Sequence, residues 1–459
     1  MVKLLVAIAV GLRPKDLAYA PALRALGDEG FVSPLETIFP ALTCPVQATF
    51  LTGALPREHG VVANGWYHRQ TAEVRFWLQS NHLVEGEKFY EQAAARDPEF
   101  VCAKLFWWFN MYSAAAISMT PRPEYHSDGL KLPGLYSDPP ELKDDLQKSL
   151  GAFPLFKFWG PGAGIASTDW IARSARRVIE QQDPTLTLVY LPHLDYDHQR
   201  FGPDDHRSQR AVGELDAVVA PLFETARETG REILVLGEYG IEAVDRPVFL
   251  NRVLRTSGRL RVQETGHGEL LDAGRSDAFA VCDHQVAHVY VSRAADVPRV
   301  AKELERVEGV ERVLHREEQK EFGIDHPRAG ELICIAEPTA WFAYPYWLDE
   351  ARRPDFATSV DIHRKPGFDP SELFLDPKLR APKARIATRL LRKKLGFRYR
   401  MDVISTDPSM VRGSHGRLPA RPELGPVALG SFRRETDAPL RALDVSDLIL
   451  SRLAYRSGR

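Results

Sequence analysis

Three short apolar runs constrain this chain more than anything else in it. They are KLLVAIAV (residues 3–10), TLTLVYLP (185–192) and the first half of REILVLGEYG (231–240). None alternates cleanly between apolar and polar positions, so each reads as a strand buried on both faces. Segments with helical periodicity precede the second and third: TDWIARSARRVIEQQ and RAVGELDAVVAPLFETARETG. Strands alternating with helices predict an α/β fold with a central, mainly parallel sheet flanked by helices. Ligands bind such sheets at the carboxyl ends of the strands. Chemistry is therefore expected after each run: from Gly11, from Asp195 and from Glu238 onward.

The chain has 459 residues, enough for two or three lobes around one large core. Residues 1–284 and 400–459 read as that core. Within it, residues 60–135 hold an aromatic-rich insertion (NGWYHRQ, FWLQSN, KLFWWFNMYS) expected to cap the cleft. Residues 285–345 read strand, helix, strand, strand, as a small α+β subdomain. Residues 346–400 form an aromatic and basic excursion near the cleft. Ten of the 23 residues from Lys378 to Arg400 are Lys or Arg and none is acidic. Its apolar positions, Ile386 and Leu390 among them, keep helical spacing. That is either a solvated helix face or a surface for a phosphate-rich or membrane partner.

Charge narrows the class. The 60 basic and 62 acidic residues nearly cancel, to a formal −2, which argues against dedicated nucleic-acid binding. The four cysteines, Cys44, Cys102, Cys282 and Cys334, form no CxxC pair and suit a reducing, cytoplasmic setting. The apolar start is too short for a transmembrane span and lacks a small-residue cleavage site, so a first strand is expected there. Nothing in the sequence specifies an oligomeric state.

YLPHLDYDHQRFGPDD (190–205) places Asp195, Asp197 and His198 directly after a strand, a setting that suits a metal ion. In FPALTCPVQATFLTGALPREHGVVANGWY (39–67), a helix is expected to open near Pro45. Thr43 then stands at a helix N-terminus, where N–H groups and the dipole favour an anion. Its hydroxyl is either a plain helix cap or, beside a metal, a nucleophile for phosphorus.

The second segment resembles the nucleophile region of the nucleotide pyrophosphatase/phosphodiesterase (type I phosphodiesterase) group of the alkaline phosphatase superfamily. The group's pattern is F-P-x-x-T, a helix, T-G, then P-x-x-H-G-(I/V)-x-x-N. Thr43, Thr52, Gly53, Pro56, His59, Gly60 and Asn64 all fall in place. The resemblance implies an alkaline-phosphatase-like sheet with divalent metal, zinc foremost and manganese or iron as alternatives, at one or two positions. It implies hydrolysis of a phosphodiester or nucleotide pyrophosphate by in-line attack of Thr43, through a phospho-threonine intermediate. The substrate is then a small phosphorylated molecule whose nucleoside or other aromatic group can stack on the insertion. Asn64 falls at a substrate-binding position.

The ligand set carries over only in part. Val10 stands where the family places an aspartate, and Glu238–Tyr239 where it places Asp-His. In D-x-x-x-H-x-x-G-P, Asp195, Gly202 and Pro203 are in register, but Gln199 matches the histidine and His198 sits one residue early. His415 in MVRGSHGRLP matches the last ligand, with His363 in VDIHRKPGFDP as a competitor. Arg364 and Lys365 are candidates for substrate phosphate. Asp283 and His284 are possible replacement ligands, and His288 is expected to pack inside a strand. The alternative to phosphodiester or pyrophosphate hydrolysis is a non-catalytic ligand-binding scaffold, or an altered reaction as a phosphoryl transferase or phosphonate or sulfate-ester hydrolase, with a degenerate metal site.

Overall fold

The first apolar run forms the middle of the sheet. In the computed structural model, which describes residues 2–127 and 131–453, the strand Lys3–Ala9 is buried at every residue but Lys3. It pairs in parallel with Leu186–Leu191 on one side and Arg231–Leu236 on the other, the other two predicted runs. Continuous burial explains their unbroken apolar character.

Among the described residues nine strands make the sheet. In spatial order they are Leu440–Arg441, Phe31–Glu36, Val427–Gly430, Arg231–Leu236, Lys3–Ala9, Leu186–Leu191, Cys102–Leu105, Ile117–Pro121 and Leu135–Asp138. Val427–Gly430 runs antiparallel to both neighbours, and so does the edge strand Leu135–Asp138 to its one neighbour. The remaining pairs are parallel, so the sheet is mainly parallel as expected.

The helices Ile165–Gln182 and His206–Glu228 match the two predicted periodic segments. Asp205 caps the second, accepting a hydrogen bond from the Arg207 N–H. The N–H groups of Ala22 and Leu23, at the start of the Pro21–Glu29 helix, donate to the buried Asp216 carboxylate, which ties that helix to His206–Glu228.

Residues 60–135 are not an insertion throughout. Cys102–Leu105 and Ile117–Pro121 are strands of the central sheet, and Phe106 and Trp107, just after the first of them, are buried in the main core. The density of Trp and Phe hid a short buried strand. The α+β expectation for 285–345 corresponds to a four-stranded antiparallel sheet that begins earlier. Its strands are Ala278–Asp283, Val286–Val291, Val310–Leu314 and Leu332–Ala336, with the helix Val297–Leu304 against them. The tight turn joining the first two strands carries His284 at φ 59°, and it faces the candidate site. Among the described residues no helix is long and apolar enough to cross a membrane.

Candidate active site

Thr43 is the first residue of the helix Thr43–Thr52, two residues ahead of Pro45, and it is 3% exposed. The loop before it is held from two sides. The Ala41 N–H donates to the Gly416 carbonyl, and the Cys44 N–H donates to Asn64 Oδ1 at 2.9 Å. Asn64 is itself fixed, because its backbone N–H and side-chain amide both donate to Asp283. The motif histidine, His59, is buried and neutral, its pKa lowered to about 3 chiefly by burial. It meets the Thr49 hydroxyl at 3.1 Å and accepts from the Val61 N–H. The motif thus builds the frame around Thr43.

A chain of hydroxyls runs from Thr43. Its Oγ1 lies 3.0 Å from the Tyr239 hydroxyl, which donates to Asp195 Oδ1 at 3.4 Å. With the tyrosine proton committed to the carboxylate, the threonine is left as donor to the tyrosine oxygen. Gln199 donates to the other oxygen, Asp195 Oδ2, at 2.8 Å. Asp195 keeps 13% exposure, yet burial still raises its pKa to about 7, against the lowering pull of Gln199 and Tyr239.

Glu238 also lies beside Thr43. It is fully buried, and Gln47 donates to its Oε1 at 2.6 Å. Gln47 Oε1 in turn accepts from the Trp108 N–H. Glu238 Oε2 has no partner, and burial pushes the carboxyl well above its usual range. Gln47 is a site residue that the sequence reading passed over. It lies four residues after Thr43, one helical turn along the same face, and that spacing was the available signal.

His415 closes the group. Its Nδ1–H donates to the Ala41 carbonyl at 2.8 Å, which leaves the Nε2 lone pair pointing inward. That nitrogen is buried without a partner, 3.9 Å from Asp195 Oδ1, and burial lowers the pKa well below the usual value. The rings form a column. Tyr239 stacks on His415 at 3.6 Å, His415 meets His284 at 3.8 Å, and His284 stacks on Phe368 at 3.7 Å. Trp77 and Trp108, from the aromatic stretches, continue it beyond Phe368. His284 Nδ1 bonds Asp283 at 2.8 Å, and its Nε2 also lacks a partner.

The structure therefore brings together Thr43, Asn64, Asp195, Glu238, Tyr239, His415, Asp283 and His284. Four other expected site residues lie differently. His198 is on the helix His193–Phe201 with Asp195, but one residue turns a helical side chain by about 100°. Gln199, at i+4, faces Asp195, while His198 is turned under the Gly11 loop, where a Cβ on Gly11 would sit 3.5 Å from its Nδ1. His363 directs its Nδ1 at the Phe76 carbonyl, 3.3 Å away. Arg364 is exposed beside Asp355 and Asp361. Lys365 is buried and bonded at 2.7 Å to both Asp369 and Glu372, which neutralise it. His288 is packed as expected, between the Val62 carbonyl and the Gly330 N–H.

The donor set accommodates one cation better than two. Asp195 and His415 offer a carboxylate oxygen and an inward, unpartnered imidazole nitrogen, with the unpartnered Gln199 Oε1 beside them. At the second position Val10 offers no donor, and Tyr239 has spent its hydroxyl on Thr43 and Asp195. Among the described residues, no group of three or more His, Cys, Asp and Glu side chains is arranged to hold a metal.

Comparison with known proteins agrees with the fold. An uncharacterized pyrophosphatase/phosphodiesterase of Schizosaccharomyces pombe is 22% identical over 261 residues, 56% of this chain and 47% of the relative. The chain thus spans about half the length of that curated relative. Phosphonoacetate hydrolase from Sinorhizobium meliloti 1021, solved with phosphonoacetate, is similar at a TM-score of 0.63 and 15% identity, covering 99% of this chain and 96% of that one. Murine ectonucleotide pyrophosphatase/phosphodiesterase 5, as an inactive form in complex with AMP, gives 0.59 and 13%, covering 100% and 96%. These two likenesses are of fold. The family model for type I phosphodiesterase / nucleotide pyrophosphatase matches residues 4–369, most of the chain. The chain belongs to the type I phosphodiesterase / nucleotide pyrophosphatase family.

Proposed function

We propose that the chain is a phosphoric ester hydrolase in which Thr43 attacks phosphorus in line and one divalent ion suffices. The observation that carries this reading is the Thr43 hydroxyl, fixed at a helix N-terminus and bonded into the chain Thr43–Tyr239–Asp195. A substrate phosphoryl group is favoured there by the helix dipole. As the threonine oxygen forms its bond to phosphorus and the ester oxygen leaves, the hydroxyl proton departs along Tyr239 toward Asp195. Tyr239 both keeps the Thr43 oxygen aimed and relays its proton. Asn64 positions the start of the helix rather than standing free for substrate. Water then hydrolyses the phospho-threonine.

Asp195, His415 and the Gln199 amide would hold the ion. What it supplies when bound is positive charge beside the phosphoryl oxygens. Zinc is the first choice for a carboxylate and imidazole pair, with manganese or iron next. The molecules bound by the structural neighbours, phosphonoacetate and AMP, support a small phosphorus-bearing substrate. A nucleoside or another aromatic group would find rings in the column that ends on Trp77 and Trp108.

A second reading is favoured by Val10 and by the engagement of Tyr239: a scaffold that binds phosphorylated ligands without turnover. Hydrolysis of bis-p-nitrophenyl phosphate by wild type and Thr43→Ala, with bound zinc, manganese and iron quantified, separates the two. Thr43-dependent turnover supports the hydrolase. Absence of turnover on every diester, pyrophosphate, phosphonate and sulfate ester tried, with ligand binding retained, establishes the scaffold.

A further inference from the structure

The basic segment is built as a projecting arm. Leu375 and Ile404 form an antiparallel bridge, and the Asp376 N–H donates to the Val403 carbonyl at 2.9 Å. The chain therefore leaves the fold and returns at one point. Between these ends lies the helix Pro382–Lys394, none of whose residues is buried. Its inner side is pinned. Arg385 and Arg389 both bond the Asp402 carboxylate, which they hold below its usual pKa against partial burial.

The outer side reverses the usual polarity of a surface helix. Ala384, Ala387, Leu391 and Leu395 fall on one outward stripe at spacings of three and four. Leu391 and Leu395 are 56% and 62% exposed, and Leu390 and Phe397 beside them 50% and 61%. Scattered exposed leucines need no explanation, but a contiguous stripe on a projecting element does. Lys383 and Lys394 flank the stripe on one side and Arg392 on the other, with Arg398 and Arg400 just beyond the helix. Among the described residues, no carboxylate forms an ion pair with any of these five.

We propose that this arm docks on an anionic lipid bilayer. The apolar stripe enters the interface between headgroups and acyl chains, and the flanking Lys and Arg side chains extend to the lipid phosphates. A nucleic-acid backbone would satisfy the cations but leave the leucines in water. A bilayer satisfies both, and the absence of acidic residues from 378 to 400 removes the repulsion that anionic headgroups would otherwise meet. The proposal does not depend on which reaction the core performs.

Co-sedimentation of the full chain with vesicles tests it. Binding is expected to phosphatidylcholine:phosphatidylglycerol (1:1) vesicles, to be at least about tenfold weaker on phosphatidylcholine alone, and to fall in high salt. Leu391→Glu with Leu395→Glu, and separately Arg392→Glu with Lys394→Glu, should each weaken binding about tenfold or more. Both variants alter exposed side chains, so an unchanged thermal midpoint confirms that the fold is intact. Equal binding to both vesicle types, binding indifferent to either variant, or retention on heparin without vesicle binding would each overturn the proposal.

Discussion

The Tyr239 hydroxyl lies 3.0 Å from the Thr43 hydroxyl and 3.4 Å from Asp195, spanning the space between nucleophile and carboxylate. The family pattern expects a metal-ligating histidine at this position. A phenol takes its place, stacked on His415 at 3.6 Å with rings 6° from parallel. The ring is held by packing and the hydroxyl by two oxygens, so the group has one orientation.

Replacing the nucleophile should be close to total. Thr43→Ala is expected to lower kcat by about a thousandfold or more, while Thr43→Ser keeps measurable turnover. Trapping with a labelled diester should show phosphorylated Thr43 in wild type and none in the alanine variant. Equal turnover by wild type and Thr43→Ala rules out the assigned nucleophile.

Tyr239→Phe keeps the stacking and removes the hydroxyl. It is expected to lower kcat about ten- to a hundredfold with little change in KM, because it interrupts the proton path from Thr43 and loosens its aim without touching substrate. A change confined to KM would instead place the tyrosine against substrate.

Metal stoichiometry checks the reading of one cation. Elemental analysis of wild type should find no more than one divalent ion per chain, lost in His415→Ala. Val10→Asp combined with Tyr239→His restores the missing donors and should raise the count toward two. A wild-type count of two would contradict the assignment.

Asp195 predicts a pH effect on stability. Its carboxyl ionises near 7 in the fold and near 3.8 when exposed, so folding favours the protonated form. The stabilisation is complete below about pH 4 and is lost as pH rises through 7. In metal-free protein, wild type should lose about 2–3 kcal/mol relative to Asp195→Asn between pH 5 and pH 8. Denaturant titration at the two pH values measures the difference, and a flat difference would show that Asp195 is already ionised at pH 5.

Lys365 separates structure from binding. It is held by Asp369 and Glu372, and Glu372 also accepts from the Trp159 indole and the Asp361 N–H. Lys365→Met leaves two buried carboxylates without their cation and should cost about 3–5 kcal/mol of stability. KM of the surviving folded enzyme should hold. A raised KM with unchanged stability would return Lys365 to the substrate site.

What the sequence made legible follows from range. The sheet was readable because each buried strand declares itself locally, in an apolar run of its own. Cys102–Leu105 was not, since the aromatics after it read as a surface feature. Asp195 and His415 were readable as motif positions. His198 and Gln199 were separated only by helical phase, which requires knowing that a helix begins at His193. Lys365 reads as an anion receptor because its basic neighbours adjoin it, while the carboxylates that hold it lie four and seven residues on. The linkage of Tyr239 to Thr43 spans 196 positions and has no local trace.

The strand order carries a consequence for how the molecule is made. Phe31–Glu36, which leads into Thr43, lies between Val427–Gly430 and Leu440–Arg441 and touches no early strand of the sheet. The segment that leads into Thr43 thus has no partner in the sheet until Val427–Gly430 and Leu440–Arg441 have been made. A nascent chain stalled before residue 427 can assemble Lys3–Ala9 with its parallel neighbours, yet it leaves Phe31–Glu36 without a neighbour in the sheet. The approach to the centre is therefore completed only by strands far from it in sequence.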